Sequence, residues 1–213
     1  MTDERMPIGA LFDELAEEYE EVTEDVGWTP WPHVEAAFGE EPLAGRSVLD
    51  VGCGTGEVTA WLRGRGAEVT GLDASERMCE LAAVRVPEAR FIWHDLAQGL
   101  PFGSGTFDGV LALGCVEYVE DVEGACAELV RVTRPGGTVL YVVELCEEGL
   151  CGGEAREFVL YESWRRYRRT FAEVEAQARL LLAEVRVERV PAYVFDDTGE
   201  PVGYARVIGR ARG

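Results

Sequence analysis

Between residues 46 and 144 the apolar positions fall into short, nearly unbroken runs separated by stretches of helical spacing. RSVLD (46–50), EVTGLD (68–73), RFIW (90–93), FDGVLAL (107–113) and TVLYVVE (138–144) predict five strands. Runs this apolar are covered on both faces, as in a parallel sheet wrapped by helices. Helices are predicted between them, from about Gly56 to Arg65, from Ser75 to about Val84, and from Asp121 to Val132. Ser75 and Asp121 stand where a side-chain oxygen accepts a bond from a first-turn N–H. Pro135-Gly136-Gly137 stops the third helix before the fifth strand begins.

The two ends of the chain read differently. Ile8, Leu11, Phe12, Leu15 and Tyr19 recur at helical spacing, which predicts one amphipathic helix over 8–22. GWTPWPH (27–33) interrupts it with two prolines, and a second short helix is expected over 33–39. After the fifth strand the pattern predicts a long helix over about 154–183. Two final strands, 185–195 and 202–209, are joined by the turn sequence DDTGEP. The expected architecture is α/β and doubly wound, with a seven-stranded, mostly parallel sheet ending in an antiparallel hairpin. No repeat or linker divides residues 1–213, so one domain is expected, with a helical lid over 1–40 and a core over 44–213.

One stretch carries chemistry. In Val48-Leu49-Asp50-Val51-Gly52-Cys53-Gly54-Thr55-Gly56 a strand runs into a glycine turn and then a helix. Glycine has no Cβ to hold a ligand off the backbone, and the helix start offers unpaired N–H groups. Asp73 ends the second strand, where folds of this layout bind ribose hydroxyls. A dinucleotide site requires GxGxxG over a pyrophosphate. Here the third glycine comes one residue early and Asp50 precedes the turn. An anion there opposes a pyrophosphate and suits the ammonium of an amino-acid ligand.

Composition narrows the partners. Forty acidic against twenty basic residues give a net charge of −20, a field that repels polyanions, so no nucleic-acid partner is expected. Every basic residue is Arg and none is Lys, a bias that a GC-rich genome produces. No apolar run reaches the ~20 residues of a membrane-spanning helix, and the N-terminus lacks a basic-then-apolar leader. No membrane association and a cytoplasmic location are expected. Six cysteines without a CxxC pair and only two histidines predict reduced thiols and no metal.

These motifs resemble the class I (Rossmann-like) S-adenosylmethionine-dependent methyltransferases, especially the small ones whose first motif reads VLDVGCGTG. The resemblance continues through VTGLDASERM (69–78), FIWHDLAQGLPF (91–102), FDGVLALGCVEYVED (107–121) and LVRVTRPGGTVLYVVE (129–144), with FDELAEEY (12–19) similar to the family's lead-in helix. It implies S-adenosyl-L-methionine as cofactor. Gly52, Cys53 and Gly54 would line its methionine part, with Asp50 orienting the amino group and Tyr19 reaching the carboxylate. Asp73 would accept from both ribose hydroxyls. Ala74 and Met78 would lie on the adenine, with Asp95 and the backbone N–H of Leu96 at its edge. Leu113 and Gly114 would sit near the sulfonium.

The acceptor side is less marked. Glu117 and Tyr118 follow the fourth strand, where the family meets its substrate, and Tyr118 stands where many relatives carry His. His33 is a further candidate base. Trp28, Trp31, Trp164 and Tyr167 are candidates for an aromatic acceptor pocket or for core packing. Arg165, Arg166, Arg168 and Arg169 are read as a solvated helix face rather than a carboxylate grip. The expected function is methyl transfer to an O or N atom of a small molecule, in a biosynthetic setting, by a monomer or homodimer. Against it stand a non-methylating catalyst that binds the same cofactor, a protein or peptide methyltransferase, and a scaffold that binds without catalysis.

Overall fold

The computed structural model describes residues 7–25, 27–146, 157–160, 164–194 and 201–213. Three short helices open the chain, α1 (Ile8–Leu15), α2 (Tyr19–Asp25) and α3 (Trp31–Phe38). Strands and helices then alternate as β1 (Ser47–Val51), α4 (Glu57–Gly64), β2 (Glu68–Asp73), α5 (Glu76–Arg85), β3 (Arg90–Trp93), β4 (Phe107–Ala112), α6 (Val122–Val132) and β5 (Thr133–Glu144). The remainder is β6 (Glu157–Leu160), β7 (Trp164–Tyr167), α7 (Phe171–Leu181), β8 (Leu182–Val194) and β9 (Pro201–Ala211).

Seven strands form one sheet in the order β3-β2-β1-β4-β5-β9-β8. The first five pair in parallel, and β9 lies antiparallel between β5 and β8. The chain moves outward from β1 to β3, then returns to start again at β4. Strand order therefore reverses between β1 and β4, and a crevice opens at their carboxyl ends, the usual ligand position in such sheets.

The reason for the unbroken apolar runs is visible in β1. Val48 faces a cluster with Phe38, Leu62, Leu111 and Leu140, while Leu49 faces the opposite one with Val110, Val139 and Tyr141. Successive side chains point to opposite faces, and both faces are packed. Ser75 and Asp121 cap α5 and α6, each accepting a first-turn N–H.

Three sequence expectations are corrected. The long helix over 154–183 does not form: β6 and β7 pair as an antiparallel hairpin, and a helix occupies only Phe171–Leu181. Its start is set by a capping box in which Thr170 and Glu173 satisfy each other's backbone N–H groups. Arg165, Arg166, Arg168 and Arg169 thus sit on or beside a strand rather than on a solvated helix face. Over 8–22 one helix becomes two, α1 ending at Leu15 and α2 beginning at Tyr19. Finally, the six thiols are not all reduced. Cys53, Cys79, Cys115 and Cys126 are free, but Cys146 is in a disulfide whose partner lies outside the described residues. Residues 195–200, most of the DDTGEP turn, also lie outside them.

Candidate functional site

The crevice is an open pocket at the carboxyl ends of β1, β2 and β4. Its floor comes from Val51, Gly52 and Gly54 after β1, and one wall from Leu72, Asp73 and Ala74 after β2. His94, Asp95 and Leu96 close the far end, Gly114, Cys115 and Tyr118 the near end, and Ile8, Phe12 and Tyr19 the lid.

Gly52 shows why the loop needs glycine. Its φ is +69°, and a Cβ there would stand 2.6 Å from the Cβ of Cys115. Backbone and pocket are thus brought together with no room for a side chain. Asp73, at the tip of β2, is 8% exposed and already half engaged. Its Oδ2 accepts the Gly54 N–H at 2.9 Å and its Oδ1 accepts the Ser75 N–H at 2.9 Å. Each carboxylate oxygen can accept more than once, so acceptor capacity remains beyond these backbone bonds, to which the Ala74 N–H also contributes. Burial pushes this carboxyl above its ordinary range, against those same hydrogen bonds.

Asp50 lies deeper. Its Oδ2 accepts from the Thr59 hydroxyl at 2.7 Å, and burial pushes its carboxyl up to about 6. A buried acid this costly to ionise fits a cationic ligand group beside it. Tyr19 bends down from the lid, its ring 3.7 Å from where a Gly54 Cβ would be. Burial raises its phenol, so it remains an O–H donor at neutral pH.

The lid is pinned by polar contacts. Asp13 Oδ1 accepts from the Ser75 hydroxyl at 2.6 Å and from the Arg77 N–H at 3.1 Å. Glu17 pairs with Arg77, and Glu20 accepts from Thr55 at 2.6 Å and from Arg85 at 2.5 Å. Gly9 packs so closely that a Cβ on it would meet the Ala74 carbonyl oxygen at 2.1 Å.

Most of the residues singled out in the sequence converge here. Tyr19, Gly52, Gly54, Asp73, Ala74, Met78, Asp95, Leu96, Gly114 and Tyr118 all line the pocket. Asp95 also caps the next turn, accepting the Ala97 N–H at 2.9 Å. Cys53, Leu113 and Asp50 are buried around it without lining it. Glu117 is fully buried behind the wall, held by Arg166 and Tyr204 rather than facing the pocket. His33 is not brought to the site. It lies buried on α3, where burial and Arg206 hold its imidazole down at about 4. Trp28 packs against Gly114 from outside, 3.4 Å from where a Cβ would stand. Phe12 and Cys115 line the pocket and were not singled out. Phe12 and Tyr19 stand on separate helices, and it is the fold that brings their rings edge to face at 6.1 Å.

Residues 49–141 match the family described as "Methyltransferase domain". This stretch is a methyltransferase domain of the class I S-adenosylmethionine-dependent type. It is 40% identical over 98 residues to a demethylmenaquinone methyltransferase of Tropheryma whipplei, covering 46% of this chain and 41% of that one. The chain spans about half the length of the curated relatives it matches. Its fold superposes on the 1,6-didemethyltoxoflavin-N1-methyltransferase of Burkholderia thailandensis, solved with S-adenosylhomocysteine. The TM-score is 0.71 at 20% identity, covering 95% of this chain and 87% of that one. It also superposes on the [4+2]-cyclase SpnF, with TM-score 0.73 at 16% identity over 96% of each chain.

Proposed function

We propose that the chain transfers the methyl group of S-adenosylmethionine to an oxygen or nitrogen of a small molecule, with residues 1–40 as lid and 44–213 as catalytic core. The single observation that supports this best is Asp73, whose two half-engaged oxygens at the tip of β2 face a pocket floored by Cβ-free backbone. Two adjacent ribose hydroxyls match that acceptor pair. Asp50 takes the ammonium, Gly52, Cys53 and Gly54 follow the methionine backbone, and Tyr19 donates to its carboxylate. Ala74 and Met78 face the adenine, with Asp95 and the Leu96 N–H at its edge and Leu113 and Gly114 beside the sulfonium.

When bound, the cofactor supplies a methyl group on a good leaving group. The protein's part is then orientation and exclusion of water, which supply most of the acceleration such a displacement needs. Tyr118, with its phenol pushed up to about 12 by burial, is a poor base and acts as a wall and O–H donor. Glu117 acts from behind that wall, and His33 takes no part. Among the described residues no group of suitable basicity faces the acceptor end. An acceptor whose lone pair is free at neutral pH, such as an aromatic or heterocyclic nitrogen, needs no such base.

Since a [4+2]-cyclase shares the fold, the deciding experiment is detection of the transferred methyl. Calorimetry with S-adenosylmethionine and S-adenosylhomocysteine comes first. Incubation with a panel of amines and phenols follows, and S-adenosylhomocysteine should accumulate together with a product heavier by one methylene. Tight cofactor binding with no methylated product from any acceptor, alongside turnover of an acceptor without cofactor consumption, would favour the non-methylating reading.

A further inference from the structure

Behind the pocket wall lies a buried ionic cluster that cofactor binding does not use. Glu117 and Glu144 are both 0% exposed, and Arg166 is 5% exposed. The Arg166 Nη2 donates to Glu117 Oε1 at 3.0 Å and approaches Glu144 Oε2 at 2.9 Å. The Tyr204 hydroxyl donates to the same Glu117 oxygen at 2.8 Å, and Arg168 pairs with Glu144. Among the described residues two acids thus meet two guanidiniums. The arrangement joins four elements: the turn after β4, the end of β5, the β7 strand and β9.

The cluster touches the pocket wall. The Arg166 guanidinium stands 5.4 Å from the centre of the Tyr118 ring, on a residue that lines the pocket. Glu117 is two residues past Cys115, also in the lining, and its other oxygen has no hydrogen-bond partner among the described residues. Its field reaches the cavity: Glu117 is among the causes that raise the Cys115 thiol and the Tyr19 phenol, after burial itself.

We infer that Arg166 sets how strongly the pocket prefers a sulfonium over a neutral thioether, by holding the buried Glu117 at charge balance. The inference rests on the pocket assignment proposed above and goes beyond it by giving a role to a residue that touches no ligand. The preference matters because methyl transfer turns the cation into the neutral product that must leave. Too much uncompensated acid would overbind the cofactor, and too little would favour the product. Arg166 is a positioning residue in this scheme, acting through Glu117.

The test compares affinities for S-adenosylmethionine and S-adenosylhomocysteine by calorimetry, at mildly alkaline pH so that an unpaired carboxyl stays ionised. One buried charge behind the pocket wall should move the ratio of the two affinities about three- to twentyfold. Arg166→Gln should shift it toward the sulfonium, and Glu117→Gln should shift it the other way. The double variant should return to within about twofold of the starting ratio, since the two lost charges cancel. Loosened packing would weaken both ligands together and leave the ratio alone, so an unmoved ratio, or shifts of the same sign, overturns the inference. Should Arg166→Gln fail to fold, Arg166→Lys must keep the ratio and Glu117→Gln must still lower it. Wild-type protein that takes up neither ligand overturns the pocket assignment and this inference with it. Wild-type binding with an unmoved ratio overturns this inference alone.

Discussion

Two carboxylates one strand apart carry the site, and they respond differently to change. Asp73 is oriented by two backbone N–H groups, so Asp73→Ala removes the ligand's acceptors and leaves those donors open. Cofactor affinity should fall by about 1–3 kcal/mol, the cost of unmatched hydrogen-bonding groups, and calorimetry reads it directly. Unchanged affinity would displace the ribose from this end of the pocket. Asp50 gives a pH dependence. Burial raises its carboxyl to about 6 in the free protein, so the proton is held more tightly folded than unfolded. Its contribution to stability is present at low pH and lost as pH rises through about 6. A ligand ammonium reverses this by favouring the ionised form, so affinity should weaken as pH falls below about 6. The slope should approach about tenfold per pH unit, and Asp50→Asn should flatten it.

At the scale of elements, what packs on both sides was legible and what is held by polar contacts was not. The strands from β1 to β5 announce themselves because both faces are apolar, and Ser75 and Asp121 mark helix starts by their chemistry. The region after β5 misled, since WRRYRR reads as a charged helix when the partners of its arginines are unseen. Three of the four pair with Glu117, Glu123 and Glu144, more than twenty residues away in sequence. The capping box at Thr170 and Glu173 was nonetheless present in the sequence as a true helix start. Thr170→Ala should cost about 1 kcal/mol of stability, read as a lower denaturant midpoint with an unchanged slope. Of the site, the glycine loop and both acids were readable from spacing alone. Phe12 and Cys115 were not, because only the fold brings lid and strand end together.

For the molecule as a whole, charge should dominate its response to salt. Twenty arginines cannot neutralise forty acids even if every one is paired, so net repulsion remains after all ion pairs are made. Screening weakens exposed pairs and exposed repulsion alike, and here repulsion is in excess. The thermal midpoint should therefore rise between low and moderate sodium chloride, and a fall would mean that the exposed pairs contribute more than the excess acid costs. Among the described residues no helix is long and apolar enough to cross a membrane.

One feature of the lid bears on tempo. Asp13 grips the Ser75 hydroxyl, and Ser75 in turn donates its backbone N–H to Asp73, so a single residue serves both the door and the clasp beneath it. A nucleoside seated on Asp73 and leaving past α1 must wait for that contact to part. Asp13→Ala should therefore hasten the departure of bound S-adenosylhomocysteine, read as a faster off-rate in a rapid-mixing displacement experiment.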